Sequence, residues 1–167
     1  MLAYLFWHRP AEGVERETYE RAAEHFHRSL AHSPPAGFRG SELYRTQAPP
    51  WLPGAPTVYE DCYLVEDFTA LGVLNETAVA HGHRGAHDEI ANRYGSGAGG
   101  LYALLEGHTH LHAGSRGADP SATQPPDSVL WIARPRGAQR AELAELLGDG
   151  MDPARSSLWR QIGRAHV

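Results

Sequence analysis

From Leu2 to Trp7 both alternating sets of positions are apolar, with Leu2, Tyr4 and Phe6 in one set and Ala3, Leu5 and Trp7 in the other. Successive side chains of a strand point to opposite faces, so a strand apolar on both sides is covered on both. Residues 2–9 therefore read as a doubly buried strand, broken by Pro10 and Gly13. The period then changes. Tyr19, Ala22, Ala23, Phe26 and Leu30 share one face of a helix predicted over 15–32, which Pro34-Pro35 stops. Residues 39–46 and 58–66 return to strand-like composition, with a loop over 48–57 that holds four prolines and one glycine. Asp67 is placed to cap a helix over 68–80 whose buried side carries Phe68, Leu71, Leu74 and Ala78. A second helical piece over 84–94 presents Ile90, Ala91 and Tyr94. The run Gly95–Gly100 reads as a flexible loop, and 101–106 as a fourth strand continuing toward His112.

The order β-α-β-β-α-β over residues 1–112 is that of a ferredoxin-like α+β unit. Residues 113–127, rich in Gly, Ser and Pro, read as a linker. The pattern then restarts. Leu130-Trp131-Ile132-Ala133-Arg134-Pro135 echoes Leu5-Phe6-Trp7-His8-Arg9-Pro10, a helix over 138–147 follows, and Ser156-Ser157-Leu158-Trp159-Arg160 echoes Ser41-Glu42-Leu43-Tyr44-Arg45. Two echoes in the same order predict a partial second repeat over 128–161. The last residues, Ile162-Gly163-Arg164-Ala165-His166-Val167, resemble the translation of a common sequencing-adapter read-through. They read as a non-native tail, with the natural chain cut near Gln161.

Composition narrows the function classes. The 167 residues are 41% hydrophobic and 21% charged, which is globular composition in a chain long enough to bury a core without staples. The net charge is −5 and no Lys/Arg run occurs, which argues against nucleic acid or an anionic membrane surface as partner. All fifteen basic residues are arginines, so Schiff-base and P-loop lysine chemistry are excluded. This bias, with abundant Ala, Gly, Pro and His, points to a GC-rich genome. Cys62 is the only cysteine, which rules out an intrachain disulfide and makes a reducing, cytoplasmic setting the simplest reading. Met1–Trp7 lacks a basic start and a cleavage site and reads as the first strand, not a signal peptide. No apolar run approaches the roughly 18 residues of a membrane span.

Histidine is the most frequent candidate for chemistry. His108, His110 and His112 alternate along a predicted strand end, but same-side residues of a strand lie about 7 Å apart, too far for three to share one metal easily. His83 and His87 have the i, i+4 spacing of a chelating pair, with His81 nearby, yet position 84 is Arg rather than the Glu of zinc proteases. His25 and His27 flank Phe26 and read as surface or boundary positions. His8 ends the first strand and is replaced by Ala133 in the echo, which singles it out as an acid–base candidate. Arg9, repeated as Arg134, suits a bidentate clamp on a carboxylate or a structural ion pair. Glu60 and Asp61 are adjacent in a strand and so face opposite ways; whichever faces a cavity gains a raised pKa if desolvated. No Gly-x-Ser-x-Gly elbow, dinucleotide fingerprint or Walker loop is present.

The segment Tyr59-Glu60-Asp61-Cys62-Tyr63-Leu64-Val65-Glu66-Asp67-Phe68-Thr69-Ala70-Leu71, a strand running into an Asp-capped helix, together with the element order over 2–112, resembles the dimeric α/β-barrel superfamily of antibiotic-biosynthesis monooxygenase-like and EthD-like proteins. The resemblance implies two ferredoxin-like units packed sheet to sheet around a pocket, supplied by a homodimer or by two repeats. It also implies a small-molecule ligand and, for some members, cofactor-free oxygenase or isomerase chemistry. No cofactor and no metal are expected. The predicted catalytic residues are His8 and Glu60, and the predicted ligand contacts are Tyr4, Trp7, Arg9, Tyr44, Tyr63 and Arg134. These belong to different strand faces, so about half must fall away from any single cavity. Two rival readings stand beside this one. A His-ligated metal enzyme requires the His81–His87 or His108–His112 groups to converge. A non-enzymatic dimerisation or scaffold module requires a second sheet face packed without a cavity.

Overall fold

The computed structural model describes residues 1–49, 51, 52, 54, 56–107 and 157–166. Its elements are β1 (Leu2–Pro10), α1 (Arg16–His32), β2 (Phe38–Gln47), β3 (Thr57–Val65), α2 (Phe68–Val79), a 3-10 turn (His81–His83), α3 (Arg84–Ala91), β4 (Tyr94–Gly107) and β5 (Ser157–His166). The strands form one antiparallel sheet in the order β2-β3-β1-β4-β5. The first four strands reproduce the ferredoxin-like order, and β5 adds a fifth at the β4 edge. The linker, the helix over 138–147 and Arg134 lie outside the described residues, as do His108, His110 and His112.

β1 is central and buried on both faces, as its double apolar pattern requires. Leu2 and Phe6 lie against the helices, and Ala3 and Trp7 on the opposite side. The helix-side core gathers Leu2, Tyr59, Tyr63 and Val65 from the sheet with Tyr19, Ala22, Ala23, Phe26 and Leu30 of α1, the stripe expected of that helix. In α2 the Asp67 carboxylate accepts the Ala70 backbone N–H at 2.9 Å. That cap sets the helix phase so that Ala70, Leu74 and Ala78 point inward. Phe68, expected inside, is therefore 65% exposed.

The glycine run is the main departure from expectation. Gly95–Gly100 is the first half of β4, and α3 ends at Ala91 rather than 94. The glycines are needed because neighbouring groups occupy the space above them. A Cβ on Gly99 would lie 2.6 Å from the Tyr4 hydroxyl, and one on Gly95 2.7 Å from the Pro10 carbonyl oxygen. Aromatic rings of β1 thus lie across a strand that has no side chains there, the reverse of a flexible loop. β5 runs from Ser157 through Ile162–His166, residues read from sequence as a tail. Among the described residues no helix is long and apolar enough to cross a membrane.

Candidate functional site

The alternation of β1 and β3 divides the predicted site between two faces. Tyr4, His8 and Tyr63 lie on the helix side; Trp7, Arg9, Tyr44, Cys62 and Glu60 lie on the other. His8 and Glu60 therefore cannot serve one substrate in one cavity, because the sheet stands between them.

On the helix side a chain of polar groups is sealed beneath α1. The Tyr19 hydroxyl meets His8 Nδ1. His8 Nε2 lies 3.1 Å from Asp61 Oδ1, a close contact whose angles fall short of a hydrogen bond. His27 Nε2 reaches the same oxygen at 3.0 Å, with Nδ1 2.7 Å from Ser41 Oγ. Tyr63 donates to Asp61 Oδ2 at 2.9 Å and its ring stacks on His27 with centroids 5.3 Å apart. Burial alone would raise the Asp61 carboxyl. The contacts and charge of His27 and His8 outweigh it and hold the group well below the usual carboxylate range. Burial, with the charge of nearby Asp61, pushes the Tyr63 phenol far up. His8 and Asp61 are 1% and 2% exposed, so both are closed off from solvent in this structure. His27, the nearer of the His25/His27 pair to the buried stripe, is a boundary residue that reaches into this network. Its spacing of four from Ala23 and three from Leu30 is the signal that could have placed it there.

The opposite face carries the opening. The 48–57 loop is closed by Ala48 N–H donating to the Pro56 carbonyl at 2.7 Å and folds across this face. Ala48 and Leu52 pack on a cluster of Ala3, Trp7, Val58, Leu64 and Tyr102. The Trp51 ring meets Trp7 edge to face, centroids 6.0 Å apart at 85°. Between loop and sheet lies a cleft of about 210 Å³ lined by Trp7, Arg9, Leu52, Ser96 and Gly97. The indole N–H of Trp7 donates to Glu60 Oε2 at 2.5 Å, fixing the ring that walls the cleft. Burial raises the Glu60 carboxyl, the Trp7 hydrogen bond draws part of the rise back, and the charge of Asp61 adds to it. Burial also pushes the Cys62 thiol up, helped by Glu60 and Glu42, so it stays a thiol. Tyr44 is farther along the face and its hydroxyl bonds Glu42.

Of the predicted ligand contacts, the structure thus brings Trp7 and Arg9 together in the cleft, with Glu60 behind Trp7. It places Tyr4 and Tyr63 in the helix-side core and Tyr44 outside the cleft lining. Leu52 and Ser96 were missed because one sits in a proline-rich loop and the other in a glycine run, both without periodicity.

Of the histidines considered for metal, His83 and His87 are otherwise engaged. His83 lies 2.6 Å from Ser29 Oγ and 3.0 Å from the Ser33 carbonyl, tying the 3-10 turn to the end of α1. His87 packs edge to face on Phe26 and contacts Asp88. Among the described residues no group of three His, Cys, Asp or Glu side chains is arranged to hold a metal ion.

No known family description matches the sequence, and no curated protein is similar to it. Solved structures do resemble the fold. The protein At3g17210 from Arabidopsis thaliana superimposes with a TM-score of 0.50 at 9% identity, over 65% of this chain and 100% of that one. A dimeric ferredoxin-like protein of unknown function from Thermobifida fusca gives 0.47 at 14% identity, over 62% and 90%. A dimeric protein of unknown function and ferredoxin-like fold from Bacteroides fragilis gives 0.44 at 14%, over 60% and 92%. The chain has a ferredoxin-like fold.

Proposed function

We propose that the protein binds a small, flat organic molecule in the cleft between the sheet and the 48–57 loop. The observation that carries this reading is a cleft on the second sheet face walled by the Trp7 ring, against which Trp51 packs edge to face. A concave, mostly apolar site with a few polar groups is the usual form of a ligand pocket. At about 210 Å³ the cleft is smaller than the roughly 300–1,000 Å³ typical of drug-sized ligands, so a one-ring molecule is the fitting size. The anchored Trp7 ring favours stacking, since Glu60 has already fixed its orientation. If a proton is moved on the bound molecule, Glu60 is the nearest acid with a raised pKa, which suits an isomerase or a cofactor-free oxygenase. The cleft counts against a pure scaffold, which needs a second face packed without one.

The partner in this reading is a second copy of the chain, sheet to sheet, in the manner of dimeric α/β-barrel proteins. Tyr44, Cys62 and Leu5 on this face are only half-buried and leave surface for it. The partial repeat belongs to the same proposal: Tyr44 of β2 and Trp159 of β5, equivalent in the echo, both lie on the second face. A bacterial, cytoplasmic protein fits the arginine-only, single-cysteine composition.

Saturation-transfer NMR with a panel of one-ring aromatic fragments tests the binding site. Binding that weakens in Trp51→Ala is expected, because the half-exposed Trp51 packs edge to face on the Trp7 wall, and a thermal melt checks that the variant folds. Binding unchanged by that substitution rejects the cleft.

A further inference from the structure

Resting on the cleft reading above, we propose that the bound molecule is an anion, a one-ring carboxylate whose carboxylate is held by Arg9 and Ser96 while its ring lies against Trp7. Three observations place these groups. Arg9 is directly opposite Ser96 in the β1–β4 register, and the register shifts immediately after, between Arg9 and Pro10. A bulge re-aims the side chains beside it and is common where a sheet edge forms a site. Both residues line the cleft with Trp7, so a cation and a hydroxyl donor stand next to an aromatic wall.

The second observation is the loop above. Gly54 has φ +109° and a Cβ there would lie 3.2 Å from Arg9 Nη1. The loop backbone thus closes directly onto the guanidinium, which narrows the conformations of a long side chain before a ligand arrives. A guanidinium presents N–H groups in a rigid fork matched to a carboxylate, and pre-ordering the fork lowers the entropic cost of binding. The third is charge. Arg9 is the cationic side chain among the described residues lining the cleft. Glu60 is not among the lining residues, and its Oε2 accepts the Trp7 indole N–H.

Calorimetry on the full chain, with benzoate and its neutral isostere benzamide as probes, tests the assignment in wild type, Arg9→Gln, Arg9→Lys and Trp51→Ala. Benzoate is expected to bind wild type at least tenfold more tightly than benzamide. Arg9→Gln should erase that preference and leave benzamide binding within twofold. Arg9→Lys, which keeps the charge and loses the fork, should fall between and decides the matter if Arg9→Gln does not fold. Trp51→Ala should weaken both probes alike. Equal binding of the two probes by wild type, with both weakened by Trp51→Ala, overturns the carboxylate while the cleft stands. A benzoate preference that survives both Arg9 substitutions overturns the role of Arg9. Binding of neither probe rejects the cleft and the inference with it.

Discussion

His27 Nε2 and His8 Nε2 meet one oxygen, Asp61 Oδ1, at 3.0 and 3.1 Å, so helix α1 and strand β1 are both fastened to β3 through a single buried carboxylate. The Tyr63 hydroxyl donates to the other oxygen of the same carboxylate. Removing one member of such an array leaves the others buried without a partner, which costs far more than the net worth of the contacts.

Asp61→Asn keeps the shape and loses the charge that both imidazoles face. A loss of about 3 kcal/mol is expected, the range for breaking a buried ion pair. For a chain of this length that is a fall of roughly 10 °C in Tm, read by calorimetry or circular dichroism. A change within 2 °C would mean the network is incidental to stability.

The same carboxyl sets the acid limit. Its folded-state pKa is held below the ordinary value of 3.8, so the unfolded chain takes up its proton first as pH falls. The stability it confers is complete above about pH 4 and is lost progressively below, at up to about 1.4 kcal/mol per pH unit from this group. Urea midpoints between pH 5 and 2.5 should fall more steeply for wild type than for Asp61→Asn. Parallel curves would show that Asp61 is not the group responsible.

Glu60 has the opposite sign. Its pKa is raised above 4.5, so the folded state holds the proton longer and ionisation at higher pH costs stability. Glu60→Gln retains an acceptor for the Trp7 indole and removes the charge. The variant should equal wild type near pH 4 and be the more stable of the two at pH 7. Loss of stability at pH 7 would indicate that the charge itself is required at this site.

Two glycines make a matched pair. A Cβ on Gly95 would strike the backbone of Pro10 and Ala11, which cannot move aside without parting β4 from β1, whereas one on Gly72 of α2 meets nothing within 4 Å. Gly95→Ala should cost about 2–3 kcal/mol by overpacking. Gly72→Ala should gain about 0.5–1 kcal/mol from helix propensity. Chemical denaturation of the two variants checks both signs.

Much of the fold was legible because its signals were periodic. The double apolar alternation of Leu2–Trp7 announced a strand buried on two faces, and the Tyr19–Leu30 stripe named the inner side of α1. What failed lacked a period of its own. Gly95–Gly100 looked like a loop because the groups that fill its space, Tyr4 and Phe6, belong to another strand. Phe68 looked inward until the Asp67 cap fixed the phase of α2. The candidate site was half legible for the same reason. Alternation put His8 on the face opposite Trp7 and Arg9, but only strand pairing could put Glu60 beside Trp7, and only the fold of the 48–57 loop could bring Leu52 over Trp7. His27 was within reach of the helical spacing, but its partner Asp61 is distant in sequence.

The central claim is that the second sheet face, not the helix-side core, receives a ligand. The most direct test is an ¹H–¹⁵N correlation spectrum of the full chain, with the indole N–H signals of its four tryptophans assigned by substitution, recorded while benzoate is added. The account predicts saturable shifts of the Trp7 and Trp51 indole signals and of the Ser96 and Gly97 amides, with the His27, Ser41 and Tyr63 amides unmoved. Shifts centred on the helix-side residues, or none at saturating benzoate, would contradict it.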